Sequence, residues 1–255
     1  MRLVVLASAG PPTNILFNFL EDAGIPPVAV LVEPPQSRWT LLRGRARKLG
    51  WGAAIGQVLF MILALPLLRR RAAARLESIR EANGLRTDPI PADRMIAISS
   101  VNSAETRDQL FSLAPDAAVL SGTRVVKPDT LRAIDGPVLN IHAGITPEFR
   151  GVHGGYWALW IDRPNEFGAT VHLVDAGVDT GAVLKHVRPI PGPQDNFVTY
   201  PLLQLAAALP ALVEILNGLK QGEPLPHPVS TSGFGQQWYH PTLGQYFKGL
   251  LRGVR

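Results

Sequence analysis

Apolar positions along the chain fall into short continuous runs separated by turn residues, a spacing that predicts alternating strands and helices. Arg2 to Ser8 is apolar almost throughout and ends at Ala9-Gly10-Pro11-Pro12. That suits a strand buried on both faces and followed by a turn. Thr13 or Asn14 is expected to cap a helix that runs to about Ala23 and stops at Gly24. Pro27 to Val32 is the next strand. Strand, helix, strand in this order opens a doubly wound α/β sheet. After Pro91 the alternation resumes, with a short strand at Met95 to Ile98 and a helix at Ser103 to Leu113 capped by Asn102 or Ser103. A buried strand follows at Ala117 to Leu120, then an exit loop, a short helix at Asp129 to Ile134, and a strand at Pro137 to Ile141. Gly154 to Trp160 begins a packed helix, and Thr170 to Val174 with Val183 to Val187 read as an antiparallel pair. A proline-rich tail carries one apolar helix, about Tyr200 to Gly218, and a last segment from Trp238 that packs back on the body. The expected fold is α/β, a doubly wound and mostly parallel sheet over residues 1–190, with a helical insert at 38–86 and a C-terminal extension at 191–255.

The insert breaks the alternation. Trp51 to Leu68 contains one polar side chain, Gln57, and no charge, while Arg69 to Asn83 reads as a helix ended by Gly84. Between positions 38 and 86 stand eleven Lys or Arg and two Glu, a net +9. The whole chain is +5, so the remainder is −4 and the basic excess lies entirely in this segment. A membrane-spanning helix needs about 20 apolar residues. Trp51 to Leu68 is at the lower limit, and Gly52, Gly56 and Pro66 weaken it as a span. Basic clusters flank it on both sides, Arg43, Arg45, Arg47 and Lys48 before, Arg69, Arg70 and Arg71 after, which favours a segment held at one face of a membrane. The alternative is that it packs on the sheet or forms a homodimer interface.

Composition narrows the chemistry. The chain has no cysteine, which excludes disulfides, thiolate metal sites and a cysteine nucleophile. His153, His172, His186, His227 and His240 show no metal-ligand spacing, so no metal is expected. The first residues read as a strand rather than a signal peptide, and a cytoplasmic protein is expected, peripheral at the membrane's cytoplasmic face if the insert binds lipid.

Candidate chemistry concentrates between Val138 and Leu184. Asn140 and His142 stand two apart at a strand end, so both side chains face one cleft. The loop from Asp175 to Gly181 offers Asp179 or Asp175 from across that cleft. Amide, imidazole and carboxylate are the parts of acyl transfer: an oxyanion donor, a proton acceptor and a group that orients it. Arg150, beside Gly151, suits the positioning of an acidic group on a substrate, and Tyr156, Trp157 and Trp160 read as core.

Asn140-Ile141-His142, Pro147 with Phe149-Arg150-Gly151, and Asp179-Thr180-Gly181 occur in an order and spacing that resembles the folate-dependent formyltransferases. That family includes glycinamide ribonucleotide formyltransferase, the catalytic domain of methionyl-tRNA formyltransferase and the formyltransferases of nucleotide-linked amino sugars. The likeness extends more weakly back through Pro115 to Gly122 and covers roughly half the chain. It implies a Rossmann-like catalytic domain, 10-formyltetrahydrofolate as formyl donor, and a primary amine as acceptor, with an amino sugar on a nucleotide or lipid carrier favoured. It implies that Asn140 and His142 stabilise the developing oxyanion and that Asp179 orients His142 and accepts the amine's proton. It further implies cofactor contacts from Gly122, Thr123, Arg124, Val125, Val126 and Asp175, and substrate contacts from Arg150, Gly151 and the first loop through Ser8 and Asn14. Pro11 and Pro12 lack amide hydrogens, which makes that loop a poor phosphate cradle. The insert is where this chain departs from the family. Seventy-six residues follow Asp179, which leaves little room for a separate tRNA-reading domain, and nucleic acid is not the expected partner. Two other readings stay open: hydrolysis of the same cofactor, and a non-catalytic membrane-associated adaptor on the same fold.

Overall fold

Valine, leucine and alanine fill strands whose two faces are both covered. The computed structural model describes residues 1–231 and 235–255. In chain order the elements are β1 (Leu3–Ser8), α1 (Pro11–Asp22), β2 (Ala29–Glu33), α2 (Arg38–Leu49), α3 (Trp51–Leu59), a π turn (Phe60–Ala64), α4 (Leu65–Ala82), β3 (Met95–Ala97), α5 (Ala104–Leu113), β4 (Ala117–Ser121), α6 (Pro128–Leu131) and β5 (Val138–His142). There follow β6 (Phe149–Gly151), α7 (Gly154–Trp160), β7 (Ala169–Leu173), β8 (Val183–Val187), α8 (Tyr200–Lys220), β9 (Gln236–Trp238) and α9 (Leu243–Leu251).

Seven strands form one sheet in the order β3-β2-β1-β4-β5-β7-β8. The first five are parallel, and β7 and β8 add antiparallel at the edge. The chain order reverses between β1 and β4, and in open α/β sheets ligands collect beyond the carboxyl ends of strands at that reversal. Side-chain parity divides the core. Leu3, Val5 and Ala7 pack with α1 and α8 on one face, while Val4 and Leu6 pack with Leu110 of α5 and Ile134 on the other. α8 therefore belongs to the main core, even though it lies beyond residue 190, and α9 with β9 forms an outer layer over β6 and α7.

Two local expectations change. α1 begins at Pro11 with Gly10 as its N-cap, not at Thr13 or Asn14. Proline at the first helical position has its backbone angle already set, and the Thr13 hydroxyl instead donates to the Ser8 carbonyl at 2.7 Å. The insert is helical from Arg38 onward, and its apolar run is one continuous helix through Ala82. Pro66 removes a backbone donor at the second residue of α4, and the helix widens into a π turn just before it, where that lost bond is absorbed.

The insert's buried face explains its odd residues. Gln57, the lone polar side chain of Trp51 to Leu68, points inward and donates to the His240 carbonyl at 2.8 Å. Gly56 lets α3 approach α9, since a Cβ there would stand 2.9 Å from the Thr242 Cβ. Phe60 is fully buried, 5.0 Å from the ring of Phe197 and 5.1 Å from that of Tyr246, a burial that contributes about 2–3 kcal/mol.

Candidate active site

Strand parity puts Asn140 and His142 on one side of β5, and the antiparallel register sets His172 of β7 directly opposite Asn140. The loop after β7 then returns Asp179 to the same point. The Asp179 carboxylate lies 3.3 Å from His142 Nδ1 and 3.8 Å from His172 Nε2, and it accepts the Gly151 N–H at 2.9 Å. Asp179 itself sits in the left-handed region at φ 51, a conformation costly for a residue with a Cβ. Gly181 holds that turn against β7, because a Cβ there would collide with the Leu173 carbonyl. Asp175 builds the same loop: its carboxylate accepts the Gly177 N–H at 2.9 Å and the Thr180 hydroxyl at 2.6 Å.

Hydrogen-bond logic fixes the state of His172. Nδ1 faces the Leu173 carbonyl at 2.7 Å, and a carbonyl only accepts, so Nδ1 carries the proton. In the neutral ring Nε2 then accepts from the Asn140 amide at 3.1 Å. Burial pushes His172 below its ordinary value, against the opposing pull of the Leu173 carbonyl and Asp179, which keeps the ring neutral at pH 7. Asn140 is thereby oriented, with its remaining amide hydrogen and its carbonyl left for the cleft. His172 was absent from the residues marked by sequence. Its signal is its position, directly across the ladder from Asn140 in the second apolar strand, which only the register supplies.

His142 differs from expectation. It is 6% exposed, and its Nε2 donates to the Phe149 carbonyl at 2.7 Å while Nδ1 faces Asp179. Both ring nitrogens are engaged, so in this arrangement the ring reaches the cleft through Asp179 and not as a direct oxyanion donor. The turn between β5 and β6 is the cause, because it folds the Phe149 carbonyl onto the ring.

A cavity of about 410 Å³ opens at the end of β4 and β5, lined by Gly122, Thr123, Arg124, Val125 and Val126, by Asn140, Gly151 and His172, and by Asp175 and Asp179. Leu120, Ile141, Val174 and Val178 add apolar walls. The exit loop of β4 is held by Glu33 at the end of β2, a carboxylate 1% exposed. Glu33 accepts the backbone N–H of Arg124 at 2.8 Å and of Val101 at 3.0 Å and pairs with the Arg124 guanidinium at 2.6 Å. Arg124 thus lines the cavity while its charge is spent on Glu33.

The proposed substrate-binding residues divide. Gly151 is at the cavity. Arg150 donates to the Gly235 carbonyl at 2.6 Å and ties β6 to the C-terminal segment. Ser8 Oγ donates to the Gly122 carbonyl at 2.9 Å, and Asn14 donates to the Thr87 carbonyl at 3.3 Å. These three side chains are occupied within the fold, and none lines the cavity.

Residues 72–196 match the profile of a family described as Formyl transferase. A methionyl-tRNA formyltransferase of Trichlorobacter lovleyi is 33% identical over 146 residues, which are 56% of this chain and 44% of that protein. The chain spans about half the length of the curated relatives it matches. Among solved structures, a phosphoribosylglycinamide formyltransferase from Streptococcus pneumoniae is similar at TM-score 0.53 and 22% identity, over 86% of this chain and 99% of that one. A sugar N-formyltransferase from a Shewanella species is similar at TM-score 0.54 and 13% identity, over 92% of this chain and 76% of that one. At these identities the structural likeness speaks to fold alone.

Proposed function

We propose, from the premise that this chain belongs through residues 72–196 to the formyl transferase family, that it transfers a formyl group from 10-formyltetrahydrofolate to a primary amine. The acceptor we favour is an amino sugar on a nucleotide or lipid carrier. The observation that carries the reading is the convergence of Asn140, His142, His172 and Asp179 at one end of a cavity of about 410 Å³. That volume falls in the range of small-molecule sites, roughly 300–1,000 Å³. Its apolar walls suit a flat heterocycle, and backbone polar groups of Gly122 to Val126 suit the heterocycle's edge, so the residues present fit a reduced folate. When bound, that cofactor supplies an activated formyl carbon.

The chain's own groups then have separate tasks. Asn140, fixed by His172, donates to the acyl oxygen on which charge develops. Asp179 lines the cavity and accepts the proton lost by the amine, directly or through water. The Gly151 N–H holds that carboxylate in position, and His142 Nδ1 faces it at 3.3 Å, a contact that is a charge-assisted hydrogen bond when the ring carries both protons. An anionic carrier on the acceptor is supported by the net charge of +9 between positions 38 and 86.

The test incubates the protein with 10-formyltetrahydrofolate and three acceptor classes: amino-sugar nucleotides, amino-sugar lipids and aminoacylated tRNA. Mass spectrometry should find a formyl gain on an amino sugar. A gain on the tRNA alone would move the acceptor class. Full-rate release of tetrahydrofolate without any amine would make the protein a hydrolase of the cofactor.

A further inference from the structure

Among the described residues two helices are long and apolar enough to cross a membrane, and they are treated differently by the fold. Tyr200–Lys220 has mean hydropathy 1.7 over its most apolar window, and half of that window is buried in the core. Trp51–Ala82 has mean hydropathy 2.0, and only 17% of its window is buried. The protein face of this helix is accounted for by Ala54, Gln57 and Phe60. The opposite face carries Trp51, Ile55, Leu59, Ile62, Leu63 and Leu67, at intervals of three and four residues, each between 43% and 63% exposed. Large contiguous apolar stripes on a protein surface mark interaction sites.

Charge identifies the occupant. Arg69, Arg70 and Arg71 follow the stripe on the same helix and are exposed. α2 folds back beside α3 through Gly50, with Arg45 Nη1 3.9 Å from Met61 Sδ, and brings exposed Arg43, Arg47 and Lys48. Among the described residues none of these six exposed cations has a carboxylate partner. Trp39, 70% exposed, and Trp51, 61% exposed, sit at the two helix starts, and tryptophan favours the membrane–water boundary. A second copy docked through the same stripe would bring two basic rims together, and like charges across an interface repel. A nucleic acid would satisfy the cations and leave the apolar stripe in water. Only an anionic lipid surface answers both features.

We infer that Trp51 to Leu67 and its basic rim form a docking surface for an anionic bilayer, with the helix lying in the plane of the interface. It does not span, because its inner face is committed to Phe197, Tyr246 and His240 of the protein body. The same inner contacts lead towards the cleft: His240 lies 3.0 Å from His153, and the Trp238 carbonyl accepts the Val152 N–H at 3.1 Å, next to Gly151, which holds Asp179. The inference does not depend on formyl transfer.

The experiment is flotation of the full chain with vesicles of phosphatidylglycerol and phosphatidylcholine, or of phosphatidylcholine alone. The protein should float with the anionic vesicles, weakly with the neutral ones, and less as salt is raised. Replacing Arg69, Arg70 and Arg71 with Gln should lower partition about a hundredfold. The pair Ile62→Ser and Leu63→Ser should lower it about tenfold or more, with an unchanged far-ultraviolet spectrum, because both side chains already face solvent. Trp51→Phe should remove part of a fluorescence blue shift on vesicle addition. Absence of binding to anionic vesicles would overturn the inference. So would binding indifferent to Ile62→Ser and Leu63→Ser, which would be adsorption by charge alone. A dimer that those serines dissociate, with vesicle binding intact, would assign the stripe to a second copy instead.

Discussion

Asn140 owes its aim to His172, and that dependence can be tested at the residue scale. His172→Leu keeps a buried side chain of similar size and removes the acceptor for the Asn140 amide together with the donor to the Leu173 carbonyl. Turnover should fall while reduced-folate affinity, measured separately by titration, stays within a few fold. The pH profile carries the same signature. Burial holds His172 below the ordinary imidazole value, so the ring stays neutral through pH 7 and protonates only as pH falls below about 6.5. Turnover of the wild-type protein should fall along an acid limb there, and His172→Leu should flatten it. Asn140→Ala removes the proposed oxyanion donor and should cost about 100- to 1,000-fold in kcat. Asp179→Asn should lose nearly all turnover with the fold retained. His142→Ala acts twice, because it abolishes the support of Asp179 and leaves the Phe149 carbonyl buried without its donor, a loss of roughly 1–3 kcal/mol in stability. A His142→Ala protein with wild-type turnover would end the mechanism.

At the scale of elements, a buried ion pair ties α4 of the insert to the body. Arg75 of α4 donates to Asp195 at 2.8 and 3.1 Å, ahead of α8. The Asp195 side chain is fully buried and also accepts the Gly192 N–H at 2.7 Å. Burial alone raises this carboxyl, but the bonds from Arg75 and Gly192 outweigh it and hold Asp195 below the usual carboxylate range. Arg75→Met leaves a buried charge unpaired and should cost about 3 kcal/mol of stability at pH 7 in urea unfolding. The sign follows from the lowered value: the stabilisation is complete above the unfolded carboxyl's pKa and is lost as pH falls through the folded one. The penalty of Arg75→Met should therefore shrink in acid below about pH 4.

For the whole molecule, acid sensitivity should come from the histidine pair that joins α7 to the C-terminal segment. His153 Nε2 and His240 Nδ1 are 3.0 Å apart under the insert. Burial pushes His153 down to about 3, helped by His240 and Arg45, and His240 down to about 4. Both remain neutral when folded, whereas in the unfolded chain they take up protons near pH 6.5. Stability is thus complete above that value and declines as pH falls towards 4, by up to about 1.4 kcal/mol per pH unit for each histidine. Thermal melts between pH 7 and pH 5 should show a falling Tm. The double variant His153→Asn, His240→Gln should melt lower at pH 7 and change less with pH. Asparagine at 153 tolerates the left-handed backbone found there, at φ 59. A steep acid dependence that survives in the double variant would place the sensitivity elsewhere.

Much of this protein could be read from its chain because its signals are local. Continuous apolar runs bounded by Gly and Pro report the strands, Asn102-Ser103 marks a helix cap that Ser103 supplies, and Asn140 and His142 stand out as polar groups at the end of an apolar run, with Asp179 in the loop after another. Gly24 and Gly84 marked helix ends because the backbone there takes positive φ, at 73 and 62. What the sequence left open depends on residues far apart in the chain. The partner of Asn140 is decided by an antiparallel register, and a one-residue slip would put a different side chain opposite it. The occupation of His142 depends on how a turn folds the Phe149 carbonyl back, and that of Ser8, Asn14 and Arg150 on carbonyls distant in sequence. The insert shows the division most plainly. Its composition determined a long apolar helix among arginines. Only tertiary packing decided that Gln57 and Phe60 turn inward while Ile62 and Leu63 face out, because which side of a uniformly apolar helix is buried is set by the surface it meets.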